Sequence, residues 1–211
     1  MQILKFGGSS VENAVNISRV ADIITNSHKK GRTAVVVSAM GAVTDTLLKI
    51  ATLASLSDES YKSLLVELEK RHLDVVKTVI PVNMQSNLLS QVKKICNDIS
   101  DICNGIFLIG ELSERTKDRI ISYGEIMSSK ILSAKLQSMS VENEWKDSRD
   151  LITTDANFGK AAVDFPVTNN KITAFFLASE SSLFILPGFI ASSSNGDITT
   201  LGRGGSDYTG A

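Results

Sequence analysis

The sequence contains little cysteine and little proline, and neither sign of charge is in excess. Of its 211 residues two are cysteine and three are proline, and 22 basic side chains stand against 23 acidic ones. Two cysteines cannot form the disulfide framework of a small secreted domain. The balanced charge argues against a general nucleic-acid or membrane-surface binder, because no surplus of Lys and Arg exists to neutralise phosphates.

Long hydrophobic runs are also missing. No apolar run approaches the roughly 18 residues of a membrane span, and the first residues lack the apolar stretch of an export signal. We therefore expect a cytoplasmic protein with neither a nucleic-acid nor a membrane partner.

Histidine is scarce, and its two positions offer no catalytic cluster. His28 lies at the end of a predicted helix, and His72 lies in a charged run where we expect a solvated helical face. Neither has Cys, His or carboxylate neighbours at the spacing of metal ligands. The sequence predicts no metal site and no histidine-based triad.

Hydrophobic periodicity predicts an α/β fold with a mostly parallel sheet. Residues 3–6 form a short buried strand, apolar residues at helical spacing follow from residue 12, and residues 33–38 are continuously apolar. Strand, helix and buried strand make a βαβ unit. Later strands are expected at residues 141–145, 151–153 and 183–186, followed by a hairpin across 189–201.

A long helical segment separates the first two strands from the later ones. Residues 58–137 are predicted to be helical nearly throughout, with breaks or joints at Pro81, Gly105, Gly110 and Gly124. No linker composition flanks this segment. We therefore interpret it as a helical insertion or lid between sheet strands, and not as a separate domain, so that residues 1–211 belong to one domain.

Glycine-rich turns mark the first candidate site, KFGGSS at residues 5–10. A lysine inside a buried strand is unfavourable unless it meets an anion. At the end of the strand, Lys5 would share an anion pocket with the N–H groups of Gly7 and Gly8 and the hydroxyl of Ser9. The alternative is a solvated lysine on an edge strand before an ordinary turn.

Two further segments could complete a site. In GRGGSD at residues 202–207, glycines around Arg203 allow close backbone approach, and a guanidinium can bind a carboxylate through two hydrogen bonds. Glu125 follows Gly124 and could bind a substrate ammonium or begin a helix. Ser38 and Thr44 follow the second strand, at the edge where open α/β sheets bind ligands.

Taken in order, KFGGSS, Gly124-Glu125 and GRGGSD resemble the motifs of aspartokinases, with Ser38 to Gly41 also in place. The resemblance extends from end to end of the chain and is closer to the kinase portion of bifunctional aspartokinase–homoserine dehydrogenases. This chain departs from the family motif at residue 9, where it has serine and threonine is usual. The resemblance implies an αβα sandwich and transfer of the ATP γ-phosphoryl group to the side-chain carboxylate of L-aspartate, the first step towards threonine, lysine and methionine.

The resemblance also assigns roles. Lys5 would stabilise the transferring phosphoryl group and Asp207 would hold Lys5, so that these two are the catalytic residues. The phosphate contacts would come from Lys5, Gly7, Gly8 and Ser9, and the aspartate contacts from Ser38, Thr44, Glu125, Arg203 and Ser206. Mg²⁺ would arrive with ATP, and NAD(P) would belong only to a dehydrogenase domain outside this chain.

The same resemblance predicts that the chain is incomplete. The segment that follows GRGGSD in the family supplies most of the nucleotide-binding side, so we expect residues 1–211 to lack kinase turnover by themselves. A homo-oligomer is expected as well. Two alternatives remain open: another amino acid kinase, acting on glutamate, acetylglutamate or carbamate, and a non-catalytic ligand-sensing module on the same fold.

Overall fold

The computed structural model describes residues 1–211 and contains seven strands and eight helices. The strands are β1 (Gln2–Phe6), β2 (Thr33–Val37), β3 (Glu144–Trp145), β4 (Thr153–Thr154), β5 (Leu183–Pro187), β6 (Ile190–Ser193) and β7 (Ile198–Thr200). The helices are α1 (Ala14–His28), α2 (Val43–Ser55), α3 (Ser60–Val79), α4 (Gln85–Ile109), α5 (Glu114–Ser138), α6 (Ser148–Leu151), α7 (Phe165–Ala178) and α8 (Gly205–Gly210). Short 3₁₀ turns occupy Gly8–Val11 and Val82–Met84.

The main sheet has four parallel strands in the order β1-β2-β5-β3. A smaller sheet has the order β4-β6-β7, and its strands β6 and β7 form an antiparallel hairpin. Gly196, whose φ is +82°, lies in the turn of this hairpin. The predicted α/β class, the parallel sheet and the hairpin are confirmed.

Helices cover both faces of the main sheet. Val35, Val37 and Ile185 face the larger core, which includes residues of α1 to α5. Phe184 and Leu186, which point to the opposite face, pack with side chains of α7. Alternate residues of a strand point to opposite faces, so the continuous apolar runs of β2 and β5 are those of strands buried on both sides.

The long helical segment consists of α3, α4 and α5. Pro81 lies between α3 and α4, and Gly110 ends α4 with a φ of +74°. The joints expected at Gly105 and Gly124 are wrong, because both residues lie inside continuous helices. A Cβ on Gly124 would lie 2.9 Å from the Ala39 Cβ. Gly124 therefore permits close packing of α5 against the loop after β2 rather than a turn.

Two of the expected strands differ from the structure in their bounds. The strand expected at 141–145 is limited to Glu144–Trp145, and the segment expected as a strand at 151–153 begins as the end of α6. The side chain of Asp147 accepts a hydrogen bond from the N–H of Arg149 and so caps that helix locally. Among the helices, none combines the length and the apolar character needed to cross a lipid bilayer.

Candidate active site

A cavity of about 330 Å³ lies beyond the ends of β1 and β2, between the first turns of α2 and α8. Eight of the ten residues that the sequence predicted as site residues line it: Lys5, Gly8, Ser38, Thr44, Glu125, Arg203, Ser206 and Asp207. Gly7 and Ser9, the other two, flank Gly8 outside the lining. Segments separated by up to about 200 residues therefore meet in one cavity.

Lys5 and Asp207 form an ion pair across this cavity. The Lys5 Nζ lies 2.7 Å from the Asp207 Oδ1, and the two side chains are 32% and 70% exposed. A Cβ on Gly7 would lie 3.8 Å from the Lys5 Nζ. The ammonium is therefore partly open to solvent and lies close to the glycine turn.

The turn after β1 packs tightly against the loop after β2. A Cβ on Gly8 would lie 2.9 Å from the carbonyl oxygen of Ala39, so glycine is needed for this approach. Ser9 lies beside it in the 3₁₀ turn, is exposed, and has a hydroxyl that makes no protein hydrogen bond. The close approach brings the amide-rich turn to the edge of the cavity.

Glu125 is buried in the middle of α5, so the alternative in which it begins a helix is wrong. Its Oε1 accepts a hydrogen bond from the Ala39 N–H at 3.2 Å, whereas its Oε2 is buried without a partner. Burial in this environment raises the pKa of Glu125 to about 8. Such a carboxyl group, which lines a cavity, is suited to accept a hydrogen bond from a bound cation.

Serine side chains join the loops around the cavity. The Ser38 Oγ donates to the Ser206 Oγ at 3.0 Å, and the Ser128 Oγ of α5 donates to the Ser38 carbonyl at 2.7 Å. A Cβ on Gly188 would lie 2.7 Å from the Ser206 Oγ. The loops that follow β2 and β5 and the start of α8 are therefore held in mutual contact.

Arg203 lines the cavity without an ion pair or a side-chain hydrogen bond to the protein. Gly202 and Gly204 on either side have φ values of +71° and +80°, which glycine adopts readily. Thr44 also lines the cavity and belongs to the first turn of α2, at the positive end of that helix. Arg203 is therefore available for an anionic group of a ligand.

Sequence reasoning missed Phe189, which also lines the cavity. Phe189 has a φ of +69°, rare for a side chain of this size, and its N–H donates to the Thr209 Oγ1 at 3.0 Å. The Pro187-Gly188 turn directly after a buried strand was the signal that could have drawn attention to it. No group of three or more His, Cys, Asp or Glu side chains is placed to hold a metal ion.

The frame of this cavity is a sheet of four parallel strands with helices on both faces. The sequence profile of the amino acid kinase family matches residues 1–211, and the chain belongs to this family.

Within that family, the chain is similar to aspartokinases. It is 31% identical over 208 residues to the chloroplastic bifunctional aspartokinase/homoserine dehydrogenase 2 of Arabidopsis thaliana, which covers 98% of this chain and 23% of that relative. It is 30% identical over 212 residues to aspartokinase 1 of the same plant, also chloroplastic, covering 98% of this chain and 36% of that protein.

Solved structures show the same similarity. Aspartokinase III of E. coli in complex with aspartate and ADP, in its R-state, superimposes with a TM-score of 0.90 at 28% identity. Its complex with lysine and aspartate, the T-state, gives a TM-score of 0.90 at 27% identity. Both matches cover 99% of this chain and 45% of the E. coli chain. This chain therefore spans less than half the length of these relatives.

Proposed function

We propose that this chain forms the substrate-binding part of an aspartate kinase, which transfers the γ-phosphoryl group of ATP to the side-chain carboxylate of L-aspartate. The observation that carries the proposal is the single cavity where an unpaired guanidinium, a buried carboxyl group with a free oxygen and a lysine–aspartate ion pair meet. The similar E. coli structures are complexes with aspartate, one of them also with ADP.

Each charged group of aspartate would have a complementary partner in the cavity. The unpaired guanidinium of Arg203 would bind the α-carboxylate, with the two parallel hydrogen bonds that this group favours. The free Oε2 of Glu125 would accept a hydrogen bond from the α-ammonium. The hydroxyls of Ser38, Thr44 and Ser206 would complete the pocket and leave the side-chain carboxylate directed towards Lys5.

The chemistry requires positioning and charge neutralisation rather than a base, because a carboxylate is already a nucleophile. Lys5 would neutralise charge on the transferring phosphoryl group, and the ion pair with Asp207 would hold its ammonium in place. The N–H groups of Gly7 and Gly8 and the hydroxyl of Ser9 would contact phosphate oxygens. Mg²⁺ bound to ATP would supply further neutralisation of the phosphate charge.

The proposal also covers the pathway, the cellular compartment and the oligomeric state. A product of aspartate phosphorylation feeds amino-acid biosynthesis, and we extend the proposal to a cytoplasmic homo-oligomer, as expected from the sequence. The plant relatives are chloroplastic. We propose no NAD(P) site within residues 1–211.

Calorimetric titration of this chain with L-aspartate, L-glutamate, N-acetylglutamate and carbamoyl phosphate tests substrate choice. We expect aspartate to bind most tightly and Arg203→Ala to weaken its binding at least tenfold, since a charged hydrogen-bonded pair contributes about 1.5–3 kcal/mol. Preference for another compound would favour a different amino acid kinase.

Turnover is tested on the full-length protein that the gene encodes. The assay measures the aspartate-dependent release of ADP. We expect Lys5→Ala and Asp207→Ala to lower kcat, with Lys5→Ala reducing it by about a hundredfold or more. Lys62→Ala is the matched control, because Lys62 lies exposed on α3 and pairs with Glu59, the residue directly before that helix. Activity that survives both cavity substitutions would contradict the proposal, and aspartate binding without turnover would indicate a sensing module.

A further inference from the structure

Helix α5 carries a second buried acid that does not line the cavity. Asp118 is only 1% exposed and lies seven residues before Glu125, so the two share one face of the helix, two turns apart. Glu125 reaches the cavity, whereas Asp118 points to the base of the loop that carries Arg203. Neither the sequence motifs nor the proposed substrate contacts account for Asp118.

The carboxylate of Asp118 accepts three hydrogen bonds from two separate segments. The N–H and the Oγ1 of Thr200, at the end of β7, donate at 3.0 and 2.8 Å. The N–H of Gly159, in the turn before α7, donates at 2.9 Å. These three donors satisfy a carboxylate that would otherwise be unfavourable in a buried position.

The two segments that Asp118 joins are the supports of the Arg203 loop. The carbonyl of Thr200 accepts the N–H of Ala161 at 2.9 Å, so β7 and the Gly159 turn are also bonded to each other. A Cβ on Gly202 would lie 3.4 Å from the Gly159 carbonyl oxygen. Gly202 therefore rests on this turn, one residue before Arg203 and two residues after Thr200.

We propose that Asp118 is a positioning residue for substrate binding, which fixes the end of β7 and the Gly159 turn so that Arg203 projects into the cavity. It touches neither the substrate nor the reacting atoms. This inference rests on the proposed function, because that function assigns Arg203 to the α-carboxylate of aspartate.

The first test compares ligand selectivity by calorimetric titration. Asp118→Ala should weaken aspartate binding at least tenfold, but leave the affinity for β-alanine, which lacks the α-carboxylate, within twofold of wild type. In the Arg203→Ala background Asp118→Ala should change aspartate affinity less than twofold, since the group being positioned is gone. A loss of affinity for both ligands alike, or wild-type aspartate affinity in Asp118→Ala, would overturn the inference.

Two variants keep the test informative if Asp118→Ala does not fold. Asp118→Asn retains a carbonyl oxygen for the two backbone N–H groups and can donate its amide to the Thr200 hydroxyl, so it should bind aspartate within threefold of wild type. Thr200→Val removes one of the three hydrogen bonds and should weaken aspartate binding at least threefold with little effect on β-alanine. Asp101→Ala, at an exposed position on α4, is the control and should change neither.

A second measurement separates this inference from the proposed function. Trypsin cleaves after Arg203, and Asp118→Ala should accelerate cleavage there at least tenfold, whereas cleavage after the exposed Lys30 should keep its wild-type rate. If the wild-type chain binds no aspartate, the proposed function fails, and faster cleavage at Arg203 would still support Asp118 as the anchor of the loop. Unchanged cleavage at Arg203 would refute it whatever the ligand results.

Discussion

The buried carboxyl group of Glu125 should make aspartate binding depend on pH between 6 and 8. Burial raises its pKa to about 8, so the group is mostly protonated in the free protein at neutral pH. An ammonium placed against the free Oε2 would favour the carboxylate and lower that pKa. Binding therefore has to release a proton below pH 8, and affinity should rise as pH increases.

The size of the effect follows from the ionised fraction of Glu125 in the free protein. With a pKa of about 8, this fraction is roughly 0.01 at pH 6 and roughly 0.5 at pH 8. Aspartate affinity should therefore rise about fifty-fold over this range. At pH 7 close to one proton should be released for each aspartate bound.

Calorimetric titration measures both quantities. The dissociation constant is determined at pH 6, 7 and 8, and the proton count comes from the difference in binding enthalpy between phosphate and Tris buffers at pH 7. Glu125→Gln keeps an oxygen for the Ala39 N–H but cannot ionise. At pH 8 it should bind aspartate about 10 to 100 times more weakly than wild type, with an affinity nearly independent of pH.

The exposed Glu142 offers the control, since Glu142→Gln should retain the wild-type profile. A wild-type affinity that changes less than threefold from pH 6 to pH 8, or a Glu125→Gln profile as steep as that of the wild type, would refute the reasoning. Any pH dependence that comes from titration of aspartate itself would affect the wild type and Glu125→Gln equally. The comparison of these two proteins therefore removes it.

Three further predictions concern stability and the Arg203 loop. Gly124→Ala should lower the free energy of unfolding by about 1–2 kcal/mol through overpacking against Ala39, whereas Gly105→Ala, which meets no atom within 4 Å, should raise it by up to about 1 kcal/mol in the same denaturant titration. Burial lowers the pKa of His72 to about 4, and since the unfolded chain binds its proton near pH 6.5, the free energy of unfolding should fall by up to about 3 kcal/mol as pH drops from 6.5 to 4. His72→Gln should remove that part of the pH dependence and His28→Gln should not. Gly202→Ala, forced into a φ of +71°, should weaken aspartate binding in calorimetry while costing only about 1 kcal/mol of stability.

Each of these has an outcome that would contradict it. Equal stability changes in Gly124→Ala and Gly105→Ala would show that close packing does not distinguish the two positions. A His72→Gln variant that loses stability with acid as steeply as wild type would refute the buried neutral imidazole. Wild-type aspartate affinity in Gly202→Ala would show that the Arg203 loop tolerates a changed backbone.

The sequence predicts the sheet and the location of the cavity because both depend on local patterns. Strands buried on both faces read as unbroken apolar runs, as in β2 and β5, and the carboxyl ends of parallel strands meet at one edge. Motifs that follow those strands therefore converge there even when they are far apart in the chain. The meeting of Lys5 and Asp207 was expected only through the resemblance, because no local pattern relates residues about 200 positions apart.

The details that sequence reasoning missed depend on which element packs against which. His72 was expected on a solvated face because its neighbours in sequence are charged, yet it is fully buried. Leu68 and Val76, one turn before and one turn after it, are also buried and define the stripe to which it belongs. The helical spacing of Leu68, His72 and Val76 therefore indicated that His72 is buried, although its neighbours in sequence are charged. Gly124, in contrast, is explained only by the tertiary packing of α5 against Ala39 and Val43.

Helix α5 carries the buried polar side chains that hold the segments around the cavity. Its buried polar residues reach three different segments: Glu125 and Ser128 hold the loop after β2, and Asp118 holds both the end of β7 and the Gly159 turn. Burying two carboxyl groups on one helix face opposes folding unless each finds donors. Asp118 finds three within the protein, whereas Glu125 finds one and keeps an oxygen free. That difference underlies the two proposed roles, in which Asp118 positions the Arg203 loop and Glu125 offers its free oxygen to the substrate ammonium.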